Sequence, residues 1–149
     1  MQYDILYDMQ PIVLDTSVLV AALRSRTGAS YKLVELIGRQ AIVPLLTTAL
    51  FLEYEAVLKR PEQRLAHGLS LADVDRFLSA IASASEPVEV SISWRPQLAD
   101  ADDEMVFEAA VNGRAEALVT HNIRDFVAAA GSFNLRVVKP GEFLLGLKA

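Results

Sequence analysis

The sequence predicts an α/β fold of three layers, α/β/α, in which helices cover both faces of a central, mostly parallel sheet. Short apolar runs rich in valine, isoleucine and leucine alternate along the chain with longer segments of helical periodicity. Such alternation is typical of strand–helix–strand units, whose strands lie parallel. The first two apolar runs also end directly at aspartate or threonine, which are residues that open helices.

The first half of the chain is predicted to alternate strands and helices. Strands are expected over residues 12–14 and 41–46, because both runs are apolar and end at polar residues. Helices are expected over residues 18–23, 30–38 and about 48–59. The third helix has Thr47 or Thr48 as its cap and stops at Pro61, which cannot continue a helix.

The second half contains three more predicted helices and three more predicted strands. Ser70, with an acid in the turn that follows, predicts a helix as far as about residue 84. Another helix is expected over residues 100–111, and Pro140 opens a last one. The remaining strands are expected over residues 88–92, 117–120 and 136–138.

Composition limits the class of protein. The chain has 149 residues, of which 52% are hydrophobic and 22% charged, and it contains no cysteine. These values predict one globular domain and exclude disulfides, thiolate metal sites and cysteine nucleophiles. No apolar run is long enough to span a bilayer, so no membrane association is expected. The net charge of −5 means that RNA binding would need a local basic patch.

The domain is predicted to cover residues 11–149, with residues 1–10 as an N-terminal extension. Pro11 stands directly before the first strand signal, whereas the residues before it show no comparable pattern. Asp4 and Asp8, without any lysine or arginine nearby, argue against a signal peptide. A cytoplasmic location is therefore expected.

Glu53 is a carboxylate on the apolar side of its predicted helix. The apolar stripe of that helix is formed by Leu50, Tyr54, Val57 and Leu58, at positions i, i+4, i+7 and i+8. Glu53 falls inside this stripe at i+3. A carboxylate that faces the core is costly unless it pairs with a cation, so either an arginine across the core or a bound metal ion is expected.

Asp103 and Asp15 are the other two acids in unusual places. Val106, Phe107 and Ala110 continue the helix face that Asp103 begins, and Asp102 is turned from it by about 100°. Asp15 follows the first strand directly and is expected at the rim of the sheet. Each acid has a simpler explanation as a helix cap or as a complement to a helix dipole.

Three inward carboxylates without a matching inward lysine or arginine would repel one another, and a divalent cation would remove that cost. The chain has no cysteine, and its two histidines lie far apart in sequence. An oxygen-only ligand set suits Mg²⁺ or Mn²⁺ better than Zn²⁺. Mg²⁺ held by carboxylates is typical of phosphoryl chemistry.

Four segments in this order resemble the PIN-domain family, and in particular its VapC-like ribonuclease toxins of type II toxin–antitoxin systems. The segments are residues 13–20 (VLDTSVLV), 47–60 (TTALFLEYEAVLKR), 100–110 (DADDEMVFEAA) and 117–126 (ALVTHNIRDF). The resemblance implies Mg²⁺- or Mn²⁺-dependent hydrolysis of RNA, a cognate antitoxin and a homodimer. It assigns the family's acidic positions to Asp15, Glu53 and Asp103.

The sequence departs from the family pattern at the fourth acidic position, where Asn122 stands two residues after the strand threonine. Either Asp125 replaces the missing carboxylate, or Asn122 binds the metal through its carbonyl; both also suit an ordinary turn. The resemblance thus implies Asp15, Asp103, Asn122 and Asp125 as candidate metal ligands. Thr16, Ser17 and Thr120 are candidates to support those ligands with their hydroxyl groups.

Phosphate contacts are expected from Arg24, Arg26 and Lys32, which lie near the rim of the first strand, although a solvated charged face is the commoner explanation for such scattered charges. Two other functions stay open. One is a binding module that keeps the fold and has lost catalysis. The other is a metal-dependent phosphatase. Ser17 argues against this function, because a second aspartate would be expected at that position.

Overall fold

Short parallel strands form the sheet of this protein. The computed structural model describes residues 11–91 and 100–147. The strands are β1 (Ile12–Leu14), β2 (Leu45–Leu46), β3 (Glu86–Pro87), β4 (Ala117–Val119) and β5 (Arg136–Val138). β1 pairs with β4 and β4 with β5, while β2 pairs with β3. A single parallel bridge between Ile12 and Pro44 joins the two groups, which gives the order β3-β2-β1-β4-β5.

Helices surround this sheet, and the predicted three-layer α/β/α class is confirmed. β1 and β4 are fully buried, because apolar side chains on both faces of each strand are covered. In chain order the helices are α1 (Thr16–Arg24), α2 (Ala29–Gly38), α3 (Thr48–Leu58), α4 (Pro61–His67), α5 (Leu71–Ala84), α6 (Ala101–Asn112), α7 (Ile123–Ala130) and α8 (Pro140–Leu147).

Several helices begin at residues whose side chains satisfy free backbone N–H groups. Thr47 caps α3, where its Oγ1 accepts a hydrogen bond of 3.0 Å from the Leu50 N–H. Ser70 and Asp73 form a capping box at the start of α5. Asp100 caps α6 through its side chain. Thr47 and Ser70, which the sequence predicted as helix starts, therefore act as caps in the structure, whereas Asp15 precedes α1 without a side-chain cap hydrogen bond.

The strands on the β2 side differ from the prediction. The strand predicted over residues 41–46 is formed only at Leu45–Leu46, since Pro44 has no N–H to donate. The strand predicted over residues 88–92 instead lies at Glu86–Pro87, and residues 88–91 are not in a strand. Residue 92 lies outside the described part of the chain, as does the predicted extension over residues 1–10.

Two helices were absent from the prediction. Pro61 does not simply end α3: it occupies the first turn of α4, where its fixed φ fits the helix and no N–H is needed. α7 begins directly after Asn122, in a segment that the sequence suggested only as a turn. In the described residues, no helix is both long and apolar enough to cross a lipid bilayer.

Candidate active site

Asp15 lies at the carboxyl end of β1, where it is only 4% exposed. One of its oxygens, Oδ2, accepts two hydrogen bonds, from the Ser17 hydroxyl at 2.6 Å and from the Thr120 hydroxyl at 2.7 Å. Among the described residues, none donates a hydrogen bond to the other oxygen, Oδ1. The carboxylate is thus held in one orientation, with an oxygen left over for a ligand.

Thr120 connects Asp15 to the fourth predicted position. Thr120 is completely buried, and its Oγ1 accepts a hydrogen bond of 2.9 Å from the Asn122 N–H while donating to Asp15. Asn122 lines the same pocket as Asp15. The threonine therefore fixes the positions of both residues relative to the end of the sheet.

Glu53 reaches the site from the middle of α3. The helix is anchored by the next residue, Tyr54, whose buried hydroxyl donates a hydrogen bond of 2.6 Å to the Leu14 carbonyl. The Glu53 side chain is half-buried. Burial raises its pKa, and the nearby charge of Asp102 raises it further, while Arg60 lowers it. The prediction of Glu53 as an inward acid stays consistent with this placement, and Arg60 is its nearest identified source of positive charge.

The N-terminus of α6 contributes a second group of acids. Asp100 caps the helix by accepting a hydrogen bond of 2.9 Å from the Asp102 N–H. Asp103 is half-buried and has a pKa raised to about 7. The main cause is burial, followed by the charges of Asp15 and Asp100. A proton or a cation near Asp103 would relieve this repulsion.

One pocket brings these residues together at the carboxyl ends of β1 and β4. Its lining consists of Asp15, Thr16, Ser17, Val20, Glu53, Val57, Asp100, Asp102, Asp103 and Asn122. In open parallel sheets, ligands commonly bind at this edge. Asp100 and Asp102 are additions to the predicted site, and the only signal for them was the density of acids in that segment.

Helix periodicity was an incomplete guide to α6. It selected Asp103 from its neighbours as the inward acid, yet Asp102 lines the pocket beside it. Glu104 and Glu108 are more deeply buried than Asp103, at 3% and 5% exposure. Helix geometry turns Glu104 by about 100° from Asp103, yet Glu104 is buried as well, because α6 packs against β1, β2 and β4 and also contacts α3 and α7.

Asp125 and the predicted phosphate contacts lie at or beyond the margin of the pocket. Asp125 is exposed in the first turn of α7 and does not line the pocket, although its charge contributes to the raised pKa of Asp103. Arg24, Arg26 and Lys32 are all exposed. Arg24 donates a hydrogen bond of 2.8 Å to the Gln63 side chain on α4.

The donor set of the pocket fits a hard divalent cation in its chemistry. It offers carboxylate oxygens and one amide oxygen, and burial together with the mutual repulsion of its acids raises the pKa of Asp103. In residues 11–91 and 100–147, however, no three His, Asp or Glu side chains stand close enough together to hold a metal ion. Ligation by three of these acids would therefore require their side chains to turn toward one another.

Comparison with known proteins agrees with the fold. No curated protein matches the chain in sequence. In structure the chain is similar to a chain of VapBC2 from Rickettsia felis, seen in a crystal structure bound to a DNA fragment from its promoter. The TM-score is 0.58 at 15% sequence identity, over 87% of this chain and 98% of that chain. Residues 11–124 match the model of the PIN domain. The chain therefore belongs to the PIN domain family.

Proposed function

We propose that the chain is a Mg²⁺- or Mn²⁺-dependent endoribonuclease that hydrolyses RNA phosphodiester bonds, and that it is the toxin of a toxin–antitoxin pair. The observation that carries the proposal is one pocket lined by five acidic residues, which come from the end of β1, from α3 and from the start of α6. Such a concentration of negative charge is unfavourable unless it serves to bind a cation. Membership of the PIN domain family supports the nuclease assignment.

Asp15, Asp103, Asn122 and Asp125 are the proposed metal ligands. Asp15 presents its free oxygen, and Asn122 would contribute its amide carbonyl where other family members have a carboxylate. Asp125 would join through a water molecule, since it is exposed outside the pocket lining. A bound Mg²⁺ or Mn²⁺ would supply a more acidic water and charge neutralisation at the attacked phosphate.

Glu53 is the proposed proton acceptor. Its pKa is raised by burial and by neighbouring acids, which brings the carboxylate closer to the basicity needed to take a proton from water. Thr16, Ser17 and Thr120 support the site through their hydroxyl groups, two of which donate to Asp15. The residues proposed for these roles either line the pocket or donate a hydrogen bond to a residue that lines it.

The proposed partners, RNA and an antitoxin, are expected to match the charges in and around the acidic pocket. Arg24, Arg26 and Lys32 are the proposed contacts for RNA phosphates outside the acidic pocket. A cognate antitoxin with a basic residue would complement that pocket and block it. The structural similarity to a chain of a VapBC2 complex supports an antitoxin partner, and the family resemblance supports a homodimer.

The proposal is tested by incubating the purified chain with a mixed single-stranded RNA and Mg²⁺ or Mn²⁺, beside Asp15→Asn and Asp103→Asn. We expect cleavage that requires metal and is lost in both variants. Glu116→Gln removes an exposed carboxylate outside the pocket and serves as the matched control. Absence of cleavage together with absence of thermal stabilisation by either metal would favour a PIN-fold binding module without catalysis.

A further inference from the structure

His121 lies at the rim of the pocket and is connected to Asp15 through one intervening side chain. The His121 backbone N–H donates a hydrogen bond of 3.2 Å to the Ser17 hydroxyl. That hydroxyl in turn donates to Asp15. The next residue, Asn122, lines the pocket. The backbone of His121 is therefore fixed beside the proposed metal site, while its side chain is exposed.

Ser30 fixes the side chain as well. Ser30 lies in the first turn of α2, is 3% exposed, and has its hydroxyl 2.8 Å from Nε2 of His121. The two residues are 91 positions apart in sequence. Within the described part of the chain, the second ring nitrogen, Nδ1, makes no hydrogen bond. A buried hydroxyl thus holds an exposed imidazole at one nitrogen and leaves the other available.

Because the pocket is negatively charged, RNA binding beside it requires a hydrogen-bond donor such as His121. Five carboxylates repel an approaching phosphodiester, so the RNA backbone requires hydrogen-bond donors at the rim. Arg24, one of the proposed phosphate contacts, also donates a hydrogen bond to Gln63. His121 directly follows Thr120 at the end of β4 and directly precedes Asn122, which lines the pocket.

We infer that His121 binds an RNA backbone phosphate through Nδ1 and that Ser30 is its positioning residue. This inference rests on the proposed ribonuclease function. When the Ser30 hydroxyl donates to Nε2, the neutral ring carries its proton on Nδ1 and offers it to a phosphate oxygen. The contact holds substrate outside the metal site, so it acts on RNA binding rather than on the metal.

The test measures binding of a fluorescein-labelled single-stranded RNA in Ca²⁺, by anisotropy, alongside cleavage in Mg²⁺. Loss of one hydrogen bond from the neutral imidazole to a charged phosphate is expected to raise the Kd about tenfold in His121→Ala and in Ser30→Ala. His121→Asn places an amide N–H near the position of Nδ1 and Ser30→Thr keeps a hydroxyl, so both variants should recover most of the affinity. Thermal stabilisation by Mg²⁺ should stay as in wild type. Ser83→Ala, at an exposed serine on α5, is the matched control.

A second readout follows the ring itself. ¹⁵N NMR of the histidines should show His121 in the Nδ1–H tautomer, with a shift of that nitrogen when the RNA is added, and Ser30→Ala should disturb both. Wild-type binding and cleavage combined with unchanged affinity in His121→Ala would overturn the inference and leave the proposed function intact. Failure of the wild type to bind RNA would overturn both.

Discussion

The hydroxyl of Tyr54 donates a hydrogen bond of 2.6 Å to the carbonyl of Leu14, and both residues are buried. Tyr54 directly follows Glu53, and Leu14 directly precedes Asp15. β1 is bridged to the β2 segment only at Ile12 and Pro44 within the described residues. The tyrosine thus gives the Leu14 carbonyl a partner from α3. This hydrogen bond fixes the position of α3, which contains Glu53, relative to β1, which Asp15 directly follows.

Tyr54→Phe is expected to lower the free energy of unfolding by about 1–2 kcal/mol, because the buried Leu14 carbonyl loses its partner while the ring volume is kept. Cleavage by the fraction that stays folded should also fall, because the hydrogen bond between Tyr54 and Leu14 no longer fixes Glu53 relative to Asp15. Urea denaturation and initial cleavage rates measure the two effects. Tyr31→Phe, at a half-buried tyrosine on α2, is the control. Equal stability of both variants would contradict the prediction.

The contact between Tyr54 and Leu14 also shows what the sequence could not predict. Periodicity placed Tyr54 in the apolar stripe of its helix, and the side chain is indeed buried. Its hydrogen bond joins residues 40 positions apart. Local sequence patterns do not show which distant elements pack together. The hydrogen-bond partner of a buried hydroxyl can therefore be identified only in the folded structure.

The acids were more predictable than the strands. Asp15, Glu53 and Asp103 could be selected because a carboxylate at an inward position breaks the apolar pattern of its element, and all three line one pocket. The strand expected at residues 88–92 was misplaced because hydrogen bonding to the neighbouring strand, rather than the alternation of apolar and polar residues, determines where the strand forms. The Glu86 N–H donates to the Pro44 carbonyl and the Val88 N–H to the Leu46 carbonyl, at 2.8 and 2.9 Å.

Asp103→Asn is expected to stabilise the metal-free protein at neutral and alkaline pH. The pKa of Asp103 is raised from 3.8 to about 7 in the folded chain, which therefore holds this proton more tightly than the unfolded chain. The wild type should lose stability as the pH rises from about 4 to 7, and the ionised carboxylate remains a cost above that range.

The measurement is urea denaturation in EDTA at pH 4 and pH 8. Since Asp103 is partly exposed, we expect the variant to be more stable by about 1 kcal/mol at pH 8 and equal to wild type at pH 4. Glu116→Gln should show no such pH dependence. A variant that is less stable than wild type at pH 8 would show that Asp103 is satisfied by a partner rather than repelled by its neighbours.

Thr120→Val should weaken both the fold and the metal site. The buried hydroxyl donates to Asp15 and accepts from the Asn122 N–H, so valine leaves the buried Asp15 carboxylate and the Asn122 N–H without this partner. We expect a loss of about 1–3 kcal/mol in the free energy of unfolding and a smaller thermal shift on adding Mn²⁺. Thr120→Ser keeps the hydroxyl and should retain most of the Mn²⁺ shift. If valine responded to Mn²⁺ as well as wild type does, Thr120 would have no part in ordering the ligands.

His67 should exist as the Nε2–H tautomer at neutral pH. Its Nδ1 lies 3.0 Å from the Leu69 N–H, which can only donate, and its Nε2 lies 3.1 Å from the Leu58 carbonyl, which can only accept. Long-range ¹H–¹⁵N NMR distinguishes this tautomer from the Nδ1–H form that is expected for His121. His67→Ala should cost about 1 kcal/mol of stability by releasing the Leu58 carbonyl at the end of α3 and the Leu69 N–H just after α4. Observation of the Nδ1–H form would show that the Leu69 bond does not persist in solution.

Asn122→Asp should strengthen metal binding and weaken the metal-free fold. The substitution adds a further carboxylate to a pocket that already contains Asp15 and Asp103, so repulsion increases when no cation is present. With Mn²⁺ the same charge becomes an additional ligand, and the thermal shift should exceed that of wild type. Isothermal titration with Mn²⁺ and thermal denaturation in EDTA measure the two opposing effects. Asn134→Asp, which places an equal charge at an exposed turn, should change neither. If Asn122→Asp left Mn²⁺ affinity unchanged, position 122 would lie outside the coordination sphere and Asp125 would be the remaining candidate for the fourth ligand.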